Sequence, residues 1–214
     1  WALEDTYQVQ LRVTDDEGET DLLDTPLSIV VDNLPPEISI TNCPSQDINT
    51  TSYTFEWTAT DDSDDAEDME YNVALDSTWQ GWQTGISSYQ WNPVTSGPHE
   101  FRVQVRDNGN PQLTDEDTCD FEVNLAPEIS ITNCPSQDVN TTSYTFEWSA
   151  TDDNDAPSAL SYNIYKDGIW QGWQTGLTEY QWNSLTSGPH SFKVKVRDTG
   201  NPALESPESS CGFN

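Results

Sequence analysis

The stretch Pro36-Glu37-Ile38-Ser39-Ile40-Thr41-Asn42-Cys43-Pro44-Ser45-Gln46-Asp47 returns as Pro127-Glu128-Ile129-Ser130-Ile131-Thr132-Asn133-Cys134-Pro135-Ser136-Gln137-Asp138, 91 residues on. Self-similarity at a fixed offset marks a duplicated structural unit. The offset holds without a gap to Asn110-Pro111, which returns as Asn201-Pro202; one additional residue then carries Cys119 to Cys211. Each repeat therefore has one early and one late cysteine. The simplest pairing is Cys43 with Cys119 and Cys134 with Cys211, although a pairing between repeats, which ignores the symmetry, is also open to the sequence. Loops of that length, once closed, stabilise a domain by roughly 4 kcal/mol in the chain-entropy description. There is no CxxC pair and histidine is scarce, so disulfides in an oxidising compartment are a better reading than zinc.

Within a repeat the hydrophobic period is two. Tyr53, Phe55, Trp57 and Ala59 alternate with Thr54, Glu56, Thr58 and Thr60; Tyr71, Val73 and Leu75 do the same, as do Phe101, Val103 and Val105. Alternation at this period places one face of a strand in a core and the other in water. Turn-forming clusters separate the runs: Asp-Ser-Asp-Asp, Gln-Gly, Ser-Gly-Pro and Asn-Gly-Asn-Pro. About seven short strands per repeat predict an all-β fold of tandem immunoglobulin-like or fibronectin-III-like antiparallel β-sandwiches. The expected division is residues 34–125 for the first repeat and 126–214 for the second. Residues 1–33 carry a hairpin's worth of alternation (Tyr7, Val9, Leu11, Val13, then Leu27 to Val31), too little for a core of its own. They read as the closing strands of a partial domain. Cys211-Gly212-Phe213-Asn214 matches Cys119-Asp120-Phe121-Glu122, which predicts a last strand that is only beginning and a window onto a longer array.

The charge balance narrows the partners. With 38 acidic residues against 7 basic ones and a net charge of −31, the surface repels phosphate backbones and anionic membranes, so nucleic acid and direct membrane insertion are excluded as expectations. Nine Trp in 214 residues supply core area that a disordered acidic chain lacks.

The pattern Tyr7-x-Val9-x-Leu11-x-Val13-x-Asp15-Asp16-x-Gly18 resembles the closing strands of a PKD domain. The stretch Tyr71-x-Val73-x-Leu75-Asp76, Trp79-x-x-Trp82, Tyr89-x-Trp91 and Gly97-x-His99-x-Phe101-x-Val103-x-Val105-x-Asp107 is similar to triple-tyrosine-type sandwich modules among the immunoglobulin-like repeats of bacterial and archaeal surface proteins. The resemblance implies an extracellular or cell-surface location and serial domains in surface layers, filaments, adhesins or spacers beside secreted enzymes. It carries over no catalytic residue.

Four groups of residues are candidate sites. Asp61, Asp62 and Asp64 follow the second strand of the first repeat and recur as Asp152, Asp153 and Asp155; Asp107 and Asp198 open the turn after the sixth strand, and Asp32 sits in the linker that arrives at the same end. Carboxylates converging there suit Ca²⁺, which takes 6–8 hard oxygen ligands; the plainer alternative is that short acidic residues cap strands and face water. Trp79 and Trp82, recurring as Trp170 and Trp173, could stack on sugar rings or, on a bent edge strand, cover the end of the core. Asn49 and Asn140 stand in equivalent N-glycosylation sequons. Arg12, Arg102, Arg106, Lys193, Lys195 and Arg197 point outward from predicted sixth strands, either to pair with Asp120 and Glu122 on the next strand or to form a contact stripe for an acidic neighbour. The two histidines, His99 and His190, occupy equivalent Ser-Gly-Pro-His turns and read as structural. No nucleophile triad, phosphate loop or HExxH motif occurs, and enzymatic activity is not expected. The chain thus reads as a structural or adhesive segment of an extracellular assembly, held by disulfides and Ca²⁺, with self-association or other surface proteins as partners and strand exchange as one way of joining. The rival is a carbohydrate-binding or spacer module attached to a secreted hydrolase.

Overall fold

The computed structural model describes residues 5–22, 24–31 and 33–214, with backbone alone for residues 5–7, 30 and 31. In the leading segment β1 (Asp5–Val9) pairs with β4 (Leu27–Val31), and β2 (Arg12–Thr14) pairs with β3 (Thr20–Leu22). The turn between β2 and β3 is set by Asp15, whose Oδ1 accepts from the N–H of Glu17 (3.0 Å) and of Glu19 (2.8 Å). Val9, Leu11, Val13, Leu22, Leu27 and Ile29 all remain exposed, because among the described residues no second layer packs on this nested hairpin.

The first repeat supplies β5 (Glu37–Ile40), β6 (Tyr53–Thr60), β7 (Glu70–Leu75), β8 (Thr78–Trp79), β9 (Gln83–Thr84), β10 (Ser88–Trp91), β11 (Gly97–Arg106) and β12 (Thr114–Val123). They form one sheet of order β10-β6-β5 and another of order β12-β11-β7-β8, with β9 also on β7. The second repeat supplies β13 (Glu128–Ile131), β14 (Ser143–Thr151), β15 (Ser161–Lys166), β16 (Ile169–Thr175), β17 (Glu179–Asn183), β18 (His190–Arg197) and β19 (Ser209–Phe213). Its sheets run β13-β14-β17 and β16-β15-β18-β19, the same arrangement. This is an all-β sandwich fold. By compactness the chain divides into two units, Trp1–Cys43 with Thr54–Gln90 and Glu100–Cys119, and Pro44–Tyr53 with Trp91–His99 and Asp120–Asn214. The division runs across the first repeat, so its far end belongs to the same unit as the second repeat.

The alternating residues meet where two sheets face each other. Phe55 stacks on Phe101 with ring centroids 3.9 Å apart, and the equivalent Phe146 and Phe192 repeat that distance; all four are fully buried. Trp148, Tyr162, Ile164, Val194 and Val196 complete the core of the second repeat. Cys43 is bonded to Cys119 and Cys134 to Cys211, with the paired Cα atoms 5.7 Å apart in each. The repeats differ at one strand. In the first, Gly81, at φ +98°, donates its N–H to the Asn72 side chain at 2.8 Å, and the strand splits into β8 and β9. In the second, β16 is continuous, and the Oδ1 of Asn163, the counterpart of Asn72, is buried without a hydrogen-bond partner.

At the far end of the second sandwich the His190 ring lies edge-on to Trp182 and beside Phe213, where Nε2 donates to Thr186 O (2.9 Å) and Nδ1 to Asp167 Oδ2 (2.6 Å). The hydrogen bond with Asp167, then that with Thr186, raises the His190 pKa above 6.5. Desolvation acts the other way on Asp167, but the Ser191 N–H and His190 outweigh it and lower the carboxyl. A histidine whose folded pKa is raised contributes stability that is full below its unfolded value and lost as pH rises through the folded one. Urea unfolding of the native chain should therefore show stability falling as pH rises above 6.5, and His190→Gln should flatten that slope.

Candidate functional site

The densest polar chemistry lies where the linkers meet the loops after β6 and β11, and after β14 and β18. Beyond β6, Asp61 Oδ2 accepts from the N–H of Ser63 (2.9 Å) and of Asp64 (3.0 Å), a side chain folding its own loop. Asp64 in turn accepts from the Asn108 N–H at 2.8 Å, tying that loop to the one after β11. Asp107 is fully buried. Its Oδ1 accepts from the N–H of Gly109 (3.1 Å) and Leu113 (2.9 Å), and its Oδ2 from the side-chain amide of Asn33 (2.8 Å), which also donates to Pro111 O.

The second repeat rebuilds this arrangement position for position, with Asn154 in place of Ser63 and Thr199 in place of Asn108. Asp152 Oδ2 accepts from the N–H of Asn154 and Asp155, and Asp155 accepts from the Thr199 N–H at 2.7 Å. Asp198, 3% exposed, accepts from Gly200 N (3.1 Å), Leu204 N (2.8 Å) and the side-chain amide of Asn124 (2.9 Å). A Cβ at Gly200 would collide with that amide, so glycine is what lets the linker side chain reach the carboxylate. Asp153 accepts from the Leu125 N–H at 3.2 Å, and Asn154 donates to Val123 O at 2.9 Å.

One further contact in the second unit involves the far end of the first repeat. Asp47 N donates to Asn201 O at 2.9 Å, and Asn201 N returns a bond to Asp47 Oδ2 at 2.6 Å. The next residue, Ile48, is bridged to Val123 and bonded through its backbone to Glu122 O and from Asn124 N. Linker, loop and preceding repeat are therefore laced by backbone and amide donors. In sequence terms Asn33, Asn124, Asp47 and Gly200 were not singled out, though each belongs to a pair at the 91-residue offset (Asn33 with Asn124, Asp47 with Asp138, Gly109 with Gly200).

Of the residues considered for Ca²⁺, Asp61, Asp64, Asp107, Asp152, Asp153, Asp155 and Asp198 are all engaged as hydrogen-bond acceptors in these loops. Asp62 is exposed at its loop tip, and Asp32 lies outside the described residues. Among the described residues no three His, Cys, Asp or Glu side chains are grouped to hold a metal ion. In these linkers and loops Asn33 Oδ1, Asp61 Oδ1 and Asp152 Oδ1 nevertheless stay buried without a partner. Burial pushes the Asp152 carboxyl above its ordinary range, with the charges of Asp153 and Asp198 adding to it and the two loop N–H bonds opposing.

The tryptophans sit elsewhere than over the end of the core. Trp82 lies under the Arg106 guanidinium at 4.2 Å, and Trp173 between Arg197 (4.5 Å) and Lys195 (5.1 Å); Trp170 contacts Lys195 and the edge of Tyr165. Since Val194 and Val196 of β18 point inward, Lys193, Lys195 and Arg197 point outward and the indoles cover the outer face of that sheet. Trp79, at 42% exposed, is the open one of the four. The basic side chains also find partners other than Asp120 and Glu122: Arg106 pairs with Glu70 (2.6 Å), Arg102 with Glu100 and Glu116, Lys193 with Glu208 and Lys195 with Glu205. These acids lie on the neighbouring strand, on the same strand or in the following loop, which strand alternation alone does not identify. Arg12, on β2, is exposed, and so are Asn49 and Asn140.

No protein-family model matches the chain, and no curated protein matches it. Among solved structures, the immunoglobulin domains 1–4 of Sidekick-1 superpose with a TM-score of 0.52 at 11% identity, covering 95% of this chain and 57% of that one. The three N-terminal domains of the bacteriophage RB49 Highly Immunogenic Outer Capsid protein superpose at 0.51 and 11% identity, covering 96% and 77%. Fibronectin(III)-like modules of Clostridium thermocellum CbhA align at 14% identity over 83% of this chain and 93% of theirs, with a TM-score of 0.38. The superposition on the Sidekick-1 domains shows an immunoglobulin-like fold.

Removing the linker amide leaves the buried Asp198 Oδ2 without its donor. Asn124→Ala should cost about 2 kcal/mol, read as a lowered urea midpoint, and Asn33→Ala should do the same through Asp107.

Proposed function

We propose that this chain is a non-enzymatic structural or adhesive segment of an extracellular or cell-surface assembly, built to be strung in series. The observation that carries the reading is the recurrence of one joint: linker Asn33 on buried Asp107, and linker Asn124 on buried Asp198. A module that only displayed a ligand site would not need the same linker clasp at successive repeats. Two disulfides support an oxidising location, and the exposed sequons at Asn49 and Asn140 suit a glycoprotein. Self-association or other surface proteins are the partners that fit such a segment.

Calcium belongs to the same reading. Asp61 Oδ1 and Asp152 Oδ1 are buried carboxylate oxygens without a donor, and Asp152 shares its surroundings with two further carboxylates. A hard cation relieves both costs. Asp61 in the first repeat, and Asp152 with Asp153 and Asp198 near it in the second, are the residues that would hold it. The carbohydrate alternative retains Trp79, whose indole is open.

Electron microscopy of the native protein in millimolar calcium and after chelation tests the assembly, and thermal unfolding tests the ion. Ordered filaments or sheets, and a melting temperature that calcium raises in the parent but not in Asp152→Asn, are the expected results. Unassociated particles in both conditions count against the assembly, and a melting temperature indifferent to chelator counts against calcium.

A further inference from the structure

The contact between Asp47 and Asn201 has a counterpart position on the second repeat, and there the same surface stands open. Pro44-Ser45-Gln46-Asp47-Ile48 returns as Pro135-Ser136-Gln137-Asp138-Val139, with a single Ile-to-Val change. The backbone that presents the aspartate is held in the same way in both. Ile48 N donates to Glu122 O at 2.9 Å, and Val139 N donates to Asn214 O, the equivalent carbonyl, at 2.7 Å. In the first repeat the presented Asp47 exchanges two hydrogen bonds with Asn201 of the Asp198-Thr199-Gly200-Asn201-Pro202 loop. In the second repeat Asp138 is exposed, and among the described residues neither its N–H nor its carboxylate has a hydrogen-bond partner.

We propose that Asp138 and Val139 form a docking edge for the Asp-x-Gly-Asn-Pro loop of a further repeat of this sequence type. The edge offers what Asp47 offers. An N–H meets the loop asparagine carbonyl, and a carboxylate oxygen meets its N–H; the latter is a charge-assisted bond, stronger than a neutral one. The partner's chemistry follows from the occupied copy. The loop must present both backbone groups of an asparagine that follows glycine, because a side chain at the glycine would strike the linker amide, as it would at Gly200. At a net charge of −31 acidic surfaces of this protein repel one another, so recognition rests on this backbone pair and not on overall charge. The contact joins consecutive repeats of one chain, whether or not separate chains associate.

The test appends residues 123–214 directly after Asn214, which occupies the place of Glu122 and so continues the register into a third repeat. Amide hydrogen exchange is then followed at the added copy of Asn201. The expected result is protection there at least tenfold above the unprotected rate, lost in Asp138→Ala, while Asp138→Ala in the two-repeat chain leaves melting temperature and exchange pattern unchanged. Asp47→Ala in the two-repeat chain serves as the positive control and should release the amide of Asn201. An unprotected amide in the added repeat, an added repeat that does not fold, or equal protection with and without Asp138 overturns the proposal. So does a loss of stability on Asp138→Ala in the two-repeat chain, since that would assign the residue an internal role.

Discussion

A carboxylate sealed from water must be surrounded by donors, and the junction loops of this protein are arranged around that requirement. Asp107 and Asp198 are buried almost completely, and each accepts three hydrogen bonds: two from N–H groups of its own loop and one from a linker asparagine. An unpaired buried charge is far more costly than the net gain of any one hydrogen bond. The loop is therefore held to the conformation that delivers all three donors, and the linker is held with it. With 38 acidic residues and only 7 basic ones, cations are too few to neutralise such sites. Backbone amides and asparagine take that role at the junctions, while the scarce basic side chains are kept for the outer sheet faces.

On those faces the bases do a second job. Lys195 and Arg197 lie over indoles on the β16-β15-β18-β19 sheet, and Arg106 lies over Trp82 in the first repeat. Each cation is shared between an aromatic face and, for Lys195 and Arg106, a glutamate. Exposed ion pairs alone are worth little, but here they also shield apolar rings that would otherwise face water. The sheet's outer surface is thus an aromatic and cationic layer, and the stacking of Phe55 on Phe101 and of Phe146 on Phe192 forms the inner one.

The sandwich was legible in the sequence because alternation at period two is a local property of each strand, and duplication made the reading twice over. The symmetric cysteine pairing followed from the same duplication, and the structure contains it. The roles of the carboxylates were less accessible. Asp61 and Asp107 could be seen as acidic turn residues, but whether each accepts loop N–H bonds, meets a linker amide or stays open depends on how loops distant in sequence fold together. Asn33 and Asn124 carry a usable signal, being neutral donors repeated in the two linkers of a strongly acidic chain, but the sequence does not tell which carboxylate each one meets. The partners of Arg102, Lys193 and Lys195 were out of reach because Glu116, Glu205 and Glu208 are placed by strand register and loop path, which alternation does not report.

Amide hydrogen exchange at Asn201 in the native two-repeat chain tests the fixed joint most directly, because that N–H is bonded to Asp47 of the preceding repeat. A fixed joint predicts exchange slowed to the level of the buried β18 amides. Exchange at the rate of an unprotected loop would contradict it, and would make the junction a hinge.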